Sequence, residues 1–335
     1  MATQLTKKDF VSDQEIRWCP GCGDYGILAA VQKTLPELGV PIEKFVFVSG
    51  IGCSSRFPYY MNTYGFHTIH GRAHAIATGL KIANPELSVW VITGDGDGLS
   101  IGGNHLIHAI RRNLDINIIL FNNRIYGLTK GQFSPTSALG SITKSSPYGT
   151  IDLPFRPLSV ALGAEATFVA RTYDKSQKHM SETFEAAFKH KGTSFIEILQ
   201  NCVIFNDGTH DNVYGKEVRD DSMIVLEHGK PLVFGANLDK GIVIEGSVPK
   251  VVSLASVPVE KLHVHDKEAS SPDYAFMLSR MEEPQFPVPI GVLRDVERPV
   301  YENMAQNQIK SAIQKKGEGS LHDLIYTDDA WEVKE

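Results

Sequence analysis

The chain has 335 residues, 42% hydrophobic and 21% charged, with a formal net charge of −6 at pH 7. This composition supplies enough apolar side chains for one large domain or two ordinary ones. The mildly acidic balance argues against general nucleic-acid binding, and no apolar run approaches the roughly 18 residues that cross a bilayer. The amino-terminal sequence MATQLTKKDF shows no signal peptide. We therefore expect neither a nucleic-acid nor a membrane partner and a cytoplasmic location.

Short apolar segments alternate with helix-like segments over the first two hundred residues. Strands are predicted at 45–50, 88–94, 116–123 and 194–201, and helices at 25–38, 73–83, 103–113 and 174–190. Continuous apolar, β-branched runs are typical of buried parallel strands. The alternation predicts an α/β fold with a doubly wound, mostly parallel sheet, in which ligands bind at the carboxyl ends of the strands.

The pattern changes after about residue 203, where short strand-like pieces surround turns. A Pro-rich stretch at 282–291, a predicted helix at 300–315 and a charged tail follow. We therefore divide the chain into a domain over residues 1–210 and a C-terminal extension over 211–335. The extension is expected to pack on the domain or on a partner subunit.

A glycine-rich turn and an asparagine pair suggest a site for a metal-bound diphosphate. Gly94-Asp95-Gly96 follows one predicted strand, and Asn122-Asn123 closes the next. The Asp95 carboxylate and the Asn123 side-chain carbonyl are hard oxygen ligands of the kind that Mg²⁺ prefers. The glycines allow the backbone to approach phosphate oxygens closely. The alternative is a pair of ordinary turns, in which Asp, Asn and Gly are common.

The chain has four cysteines, Cys19, Cys22, Cys53 and Cys202. Their long gaps fit the short spacers of structural zinc sites badly, and no thioredoxin-like unit surrounds the C-x-x-C pair. Four thiolates from separate loops at one sheet edge suit a [4Fe–4S] cluster. The alternative is that Cys53 and Cys202 are buried core thiols.

Several motifs together resemble the β subunit of 2-oxoacid:ferredoxin oxidoreductases, a family of thiamine diphosphate enzymes. They are CPGCGD, GIGCSSR, HGRAHAIATG, GDGDG, NNRIYGLTKGQFSPT and QNCVIFND. The resemblance covers about residues 15–210 and is greatest for the 2-oxoglutarate branch. It implies thiamine diphosphate, Mg²⁺ and one [4Fe–4S] cluster as cofactors, with all four cysteines as cluster ligands.

The resemblance also implies the reaction and the partners. The expected activity is the reversible, coenzyme A-dependent oxidative decarboxylation of a 2-oxoacid, with 2-oxoglutarate as the expected substrate. Electrons would pass through the cluster to ferredoxin, leaving an acyl-CoA. Thiamine activation needs a Glu from another domain, so we expect a hetero-oligomer in which an α subunit supplies it.

The family pattern assigns roles to individual positions. The implied Mg²⁺ ligands are Asp95, Asn123 and the backbone carbonyl of Ile125. The implied cofactor contacts are Cys53, Ser54, His70, Gly94, Asp95, Gly96, Asp97, Asn123, Gly127 and Leu128.

Three residues are expected to take part in catalysis. His70 is the expected polar contact on the diphosphate or substrate side. A dicarboxylic 2-oxoacid needs a cation for its distal carboxylate, and Arg56 and Lys130 border the substrate pocket in the resembling family. The alternative for Arg56 and Lys130 is an ordinary surface cation.

Three further interpretations stay open from the sequence. The chain could be a non-redox thiamine diphosphate-dependent decarboxylase, carboligase or synthase with incidental cysteines. Its substrate could be pyruvate or a branched-chain 2-oxoacid. It could also be an electron-transfer module with a degenerate cofactor site, although Gly94–Gly98 and Asn122–Asn123 are intact.

Overall fold

The computed structural model describes residues 5–326 and 331–334. Residues 1–4 of the predicted domain and residues 327–330 and 335 of the predicted C-terminal extension therefore lie outside it. The strands are β1 (Phe45–Ser49), β2 (Tyr64–His67), β3 (Ser88–Gly94), β4 (Ile116–Asn122), β5 (Phe168–Tyr173), β6 (Ser194–Leu199), β7 (Met223–Leu226), β8 (Val233–Phe234), β9 (Lys240–Glu245), β10 (Val248–Ser253) and β11 (Val288–Asp295). The helices are α1 (Asp24–Thr34), α2 (Ala73–Ala83), α3 (Gly103–Arg112), α4 (Pro157–Gly163), α5 (Gln177–Lys189), α6 (Asp211–Tyr214), α7 (Arg219–Ser222), α8 (Asp273–Ser279), α9 (Tyr301–Lys316) and α10 (Leu321–Ile325).

The main sheet has eight strands in the order β2-β1-β3-β4-β6-β5-β11-β7. The first six run parallel to one another. β11 runs antiparallel to β5 and parallel to β7, so the last two strands are reversed. The prediction of a mostly parallel α/β sheet is confirmed.

Helices cover both faces of this sheet. Ile118 and Leu120 of β4 pack on one face with α2, α3, α4 and α8, whereas Ile119 and Phe121 pack on the other with α1 and α5. Alternate residues of a strand point to opposite faces, and a strand with both faces covered needs apolar side chains throughout. The doubly wound arrangement follows from this pattern. No helix in the described part of the chain is long and apolar enough to span a membrane.

The Pro-rich stretch at 282–291 contains the first half of β11, which the sequence analysis did not predict as a strand. The ladder between β11 and β5 begins at Gly291, two residues after Pro289. A proline has no backbone N–H to donate, so strands containing one are easily missed. The chain therefore leaves the main sheet after β7 and rejoins it at β11.

The predicted C-terminal extension contributes to the same sheet and core as the predicted domain. β7 and β11 are the last two strands of the main sheet, and β8, β9 and β10 form a separate antiparallel sheet. Phe234 and Ile242 from this smaller sheet, and Leu232 directly before β8, join the core on the face of α2 and α3. The extension thus packs on the domain, and the boundary at 210/211 stays a prediction.

The parallel strands bring five functional candidates to one edge of the sheet. Cys53 follows β1, His70 follows β2 and Asp95 follows β3. Asn123 follows β4, and Cys202 follows β6. Because these strands are parallel, their carboxyl ends all lie at the same edge, where ligands of doubly wound sheets bind.

Asn113 joins the opposite edge of the sheet to the C-terminal part of the chain. It ends α3 in the left-handed region, with φ of 54°. Its Oδ1 accepts hydrogen bonds from the Thr193 backbone N (3.0 Å) and Thr167 Oγ1 (2.7 Å). Its Nδ2 donates to the carbonyls of Arg298 (3.3 Å) and Pro299 (3.2 Å). This one side chain therefore connects the starts of β5, β6 and α9.

We expect Asn113→Ala to lower the free energy of unfolding by about 2–4 kcal/mol, because buried backbone groups lose partners and alanine disfavours the left-handed backbone. Asn113→Gly is the matched variant: it loses the same bonds without the backbone strain, and its loss should be smaller by about 1 kcal/mol. Urea unfolding of the full chain measures both. Unfolding of the Ala variant at the wild-type urea midpoint would contradict this account.

Candidate active site

A cavity of about 100 Å³ lies at the carboxyl ends of β1, β3 and β4, and we define it as the cofactor cavity. Its wall includes each residue that the sequence analysis proposes as a cofactor contact or Mg²⁺ ligand. These are Cys53, Ser54, His70, Gly94, Asp95, Gly96, Asp97, Asn123, Ile125, Gly127 and Leu128. The fold thus brings residues from the four segments that follow β1, β2, β3 and β4 to one small space.

Asp95 is a buried carboxylate, 2% exposed, directly after β3. Its Oδ2 accepts hydrogen bonds from the hydroxyls of Ser134 and Thr136. Burial raises the pKa of Asp95 to about 6, and the two hydroxyls oppose that rise. No basic side chain in residues 5–326 or 331–334 forms an ion pair with it. A divalent cation would supply the missing positive charge, so the residue fits a metal ligand.

Asn123 and Ile125 form a tight turn directly after β4. Asn123 Oδ1 accepts a hydrogen bond from the Ile125 backbone N (3.1 Å), and Arg124 between them has φ of 56°. Asn206 Nδ2 donates to the Asn123 carbonyl (2.9 Å) and holds the turn from the loop after β6. An amide oxygen has a second lone pair, so Asn123 Oδ1 can still ligate a cation. The donor set of the cavity therefore fits Mg²⁺.

Gly96 is required by a close contact with Tyr126, a residue that the sequence analysis did not single out. A Cβ built at Gly96 would lie 2.2 Å from the Tyr126 ring. Tyr126 Oη donates a hydrogen bond to the Gly96 carbonyl (3.0 Å). Any side chain at position 96 would displace the ring from the wall of the cofactor cavity.

Asp97 lines the cofactor cavity, but its buried carboxylate is occupied by four donors of the protein. They are the backbone N of Ile51 (3.0 Å), the backbone N of Gly71 (2.7 Å), Nδ1 of His70 (2.6 Å) and Oγ1 of Thr93 (2.8 Å). Asp97 thus connects the loops after β1, β2 and β3. The contact with Nδ1 fixes the His70 ring and leaves Nε2 as the polar atom that it can offer to a ligand.

A chain of polar contacts supports Asp95 from beneath the cavity. Thr136 Oγ1 lies 2.9 Å from Asn122 Oδ1 in addition to its contact with Asp95. Asn122 Nδ2 donates to Glu197 Oε1 (2.7 Å), and Arg171 Nε donates to Glu197 Oε2 (2.7 Å). These side chains are buried, and their contacts hold Thr136, and through it Asp95, in one orientation.

Ser134 and Thr136 lie within the motif NNRIYGLTKGQFSPT, whose pattern assigns no role to either. Both follow the turn after β4 in the stretch QFSPTS. The only signal was two hydroxyl side chains on either side of a proline. Their contact with Asp95 depends on how the loop folds back, which spacing alone does not reveal.

A second cavity, of about 260 Å³, is lined by all four cysteines, Cys19, Cys22, Cys53 and Cys202, and we define it as the cysteine cavity. A Cβ built at Gly127 would lie 3.5 Å from Sγ of both Cys53 and Cys202, so these two sulfurs approach one point. Cys19 is exposed and Cys202 is buried. The cavity therefore reaches from the interior to the surface.

The environment of the thiols favours their neutral form when no cation is bound. Burial raises the pKa of Cys22, and it raises the pKa of Cys53 to about 12, with the Asp24 carboxylate adding to both shifts. Thiolates in such a place need a metal to hold them. Within the described residues, no three His, Cys, Asp or Glu side chains are close enough for one metal ion. A cubane binds its thiolates at four separate corners, so the arrangement fits a cluster better than a single ion.

Neighbouring polar side chains position the cysteines. Trp18 Nε1 donates a hydrogen bond to the Cys53 carbonyl (2.7 Å). Gln200 Nε2 donates to Cys22 Sγ (3.3 Å). Both contacts join segments distant in sequence, and the sequence analysis identified neither Trp18 nor Gln200.

The two cavities share a wall. Cys53, Asn123, Gly127 and Leu128 line both of them. A group bound to the cysteines would therefore lie next to a group bound in the cofactor cavity. This adjacency is the central feature of the site.

Arg56 and Lys130 line the cysteine cavity and are absent from the wall of the cofactor cavity. Arg56 is half-buried, and Lys130 is exposed with φ of 74°. The fold therefore brings these two cations to the cysteine cavity rather than to the cofactor cavity. Leu128, from the same loop as Lys130, reaches both cavities.

Comparisons with known proteins agree with this geometry. Residues 50–198 match a model described as thiamine pyrophosphate enzyme, C-terminal TPP binding domain. The chain is 53% identical to the 2-oxoglutarate oxidoreductase subunit KorB of Mycobacterium tuberculosis, over 97% of this chain and 88% of that protein. It is 48% identical to the 2-oxoacid:ferredoxin oxidoreductase subunit beta of Saccharolobus solfataricus, over 60% of this chain and 67% of that protein.

A solved structure has the same fold over nearly the whole chain. It is the 2-oxoglutarate:ferredoxin oxidoreductase from Magnetococcus marinus, with 2-oxoglutarate, coenzyme A and succinyl-CoA bound. The TM-score is 0.75 at 34% identity, covering 96% of this chain and 94% of that one. The fold and the matched segment define a thiamine diphosphate-binding domain. The chain belongs to the β subunits of 2-oxoacid:ferredoxin oxidoreductases, which are oxidoreductases built as hetero-oligomers.

We expect Thr136→Val to weaken binding of Mg²⁺ and thiamine diphosphate by about 10–100-fold, because Asp95 loses an orienting hydroxyl. Thr183→Val is the matched control: its buried Oγ1 donates to the His179 carbonyl (2.7 Å) on α5, away from the cavity. Calorimetric titration of the cofactor-free protein, co-purified with its partner subunit, measures the affinity. Equal affinities in Thr136→Val and Thr183→Val would refute the orienting role.

Proposed function

We propose that this chain is the cofactor-binding subunit of a 2-oxoglutarate:ferredoxin oxidoreductase. In the proposed reaction, 2-oxoglutarate and coenzyme A give succinyl-CoA, CO₂, one proton and two electrons. The observation that carries the proposal is the shared wall between the cofactor cavity and the four-cysteine cavity. The names of the M. tuberculosis relative and the M. marinus structure support the choice of substrate.

The cofactor cavity is proposed to hold the diphosphate end of the cofactor. Asp95, Asn123 and the Ile125 carbonyl would bind Mg²⁺ there, while Gly94 and Gly96 let backbone N–H groups approach phosphate oxygens. Bound thiamine diphosphate supplies the electron sink for decarboxylation, and a [4Fe–4S] cluster accepts the electrons singly. The role of this chain is therefore to fix the two cofactors side by side.

The cysteine cavity is proposed to hold the cluster. Cys19, Cys22, Cys53 and Cys202 would each supply one thiolate. The Gln200 N–H at the Cys22 sulfur is the kind of contact that adjusts a cluster's reduction potential. The four cysteines form no disulfide, which agrees with the proposed cytoplasmic location, where thiols stay reduced.

A partner α subunit is proposed to complete the active site. No glutamate occurs among the described residues that line the cofactor cavity. Apolar side chains in or beside the His70 loop are exposed: Ile69 by 74% and Ile101 by 51%. Exposed apolar groups of this kind mark interaction surfaces. They support a partner that covers the cavity and supplies the activating Glu.

His70 is proposed as the polar contact to the diphosphate or the substrate, with Asp97 as its positioning residue. The short Nδ1 contact with Asp97 gives the imidazole one orientation. Arg56 and Lys130 stay the predicted cations for the distal carboxylate. Their place on the cysteine cavity means that the substrate would have to extend past Leu128 to reach them.

Anaerobic co-purification with the α subunit and assay against a panel of 2-oxoacids test the proposed function. We expect coenzyme A-dependent reduction of a viologen dye, with a higher kcat/KM for 2-oxoglutarate than for pyruvate or branched-chain 2-oxoacids. The chain without its partner should show no such activity. Decarboxylation without electron transfer, by iron-free protein, would instead favour the non-redox thiamine enzyme.

We expect Asp95→Ala and Cys202→Ala to separate the two cofactors. Asp95→Ala removes a proposed metal ligand and should lose thiamine diphosphate while it keeps the iron. Cys202→Ala should lose iron while it keeps thiamine diphosphate, since its side chain lines only the cysteine cavity. Iron and thiamine contents of the anaerobically purified complexes measure both effects. Wild-type thiamine content in Asp95→Ala would disprove the Mg²⁺ assignment.

A further inference from the structure

The cysteine cavity continues at the surface into a shallow cavity of about 450 Å³. The two cavities share Lys130, Ile204 and Phe205, and the shallow one adds Ile142 and Lys144. The surface above the cysteines is therefore one continuous depression. We define it, with all residues that line either cavity, as the cysteine-side surface.

Apolar side chains form the centre of the cysteine-side surface. The exposed fractions are 42% for Leu128, 77% for Ile142, 58% for Ile204 and 37% for Phe205. Gly131, with φ of +99°, lies against Phe205: a Cβ there would be 3.1 Å from the ring. Apolar side chains grouped around a surface depression are typical of sites that bind another protein.

Basic side chains surround this apolar centre. Arg17 and Arg56 line the cysteine cavity, Lys144 lines the shallow cavity, and Lys130 lines both. The carboxylate among the described lining residues is Asp24, which is 1% exposed and so reaches no partner. Arg17 pairs with Glu15 at 2.8 Å, but both side chains are largely exposed, so this pair is weak. The surface is locally positive on a chain whose net charge is −6.

We propose that the cysteine-side surface is the docking site of a small acidic electron-transfer protein that carries its own iron–sulfur centre. This inference rests on the proposed function, in which the cysteines hold a cluster. Cys19 is exposed in the same cavity, so a partner seated here would come close to that cluster. Basic rims around small apolar centres favour fast, reversible association with acidic partners.

Other occupants match this surface less well. Two copies of the chain facing each other through a symmetric contact would bring two basic rims together, which disfavours a dimer here. An obligate subunit interface is usually larger and more apolar than a depression with four cations.

Each docking event moves one electron from the cluster to the carrier. Two carriers are therefore reduced for every 2-oxoacid oxidised.

Charge reversal at Arg17 and Lys144 tests the docking site without changing the proposed substrate residues. The probe is an acidic bacterial ferredoxin, and the protein is the anaerobic complex with the α subunit. We expect the Arg17→Glu, Lys144→Glu double variant to raise the Kd for ferredoxin by about tenfold or more at low salt, with a weaker salt dependence. Calorimetry measures this binding directly, without turnover.

The small dye and a distant charge reversal provide the controls. A viologen is a cation, so its reduction does not depend on attraction by a basic rim. Viologen-linked kcat and the KM for 2-oxoglutarate should therefore not change in the double variant. Lys189→Glu reverses an exposed charge at the end of α5, towards the opposite edge of the sheet, and should leave the ferredoxin Kd at the wild-type value.

Three results would overturn the docking proposal. One is an unchanged ferredoxin Kd in the double variant. Another is failure of the double variant to assemble with the α subunit, which would show that this subunit covers the surface. The third is an increased KM for 2-oxoglutarate in the viologen assay. If the wild-type complex failed to reduce viologen with any 2-oxoacid of the panel, the proposed function would be refuted instead. The ferredoxin titration would still report on docking.

Discussion

Parallel strand direction is the constraint on which the rest of this structure depends. Six neighbouring strands run the same way, so the loops that follow them meet at one edge. Residues as distant in sequence as Cys53 and Cys202 thereby face the same small space around Gly127. Asp95 and Asn123 meet on the other side of that glycine. The two cavities lie side by side because the residue between them, Gly127, has no side chain. No long connecting element is involved.

Uncompensated burial explains why these cavities suit cations. Asp95 is buried with hydroxyl partners and with no ion pair to a basic side chain in the described part of the chain, and the half-buried thiols of Cys22 and Cys53 lie near Asp24. Burying ionisable groups without a counter-charge is costly and raises the pKa of carboxyls and thiols, and a bound cation would remove that cost. The protein can tolerate this because paired contacts fix the surroundings, as Glu197 does with Arg171. In the proposed function, the two bound metals would supply the positive charge that these groups lack.

The sequence predicted the central strands well, and the strands that it missed were missed for physical reasons. β1, β4 and β6 are uniformly buried, so their apolar runs were visible. β2 was missed because it is an exposed edge strand, and β5 because the ion-paired Arg171 interrupts its apolar pattern. The proposed cofactor contacts lie after strand ends, where topology alone brings them together. Which cavity the long side chains of Arg56 and Lys130 line depends on the path of a loop, which spacing does not encode.

The central claim is that the four cysteines hold one iron–sulfur cluster against the wall of the thiamine site. Anomalous diffraction at the iron edge, from anaerobic crystals of the αβ complex, tests it most directly. Our account predicts density for a four-iron cluster bonded to Cys19, Cys22, Cys53 and Cys202, beside Gly127. A single metal ion in that cavity, or no iron there in crystals that contain thiamine diphosphate, would contradict it.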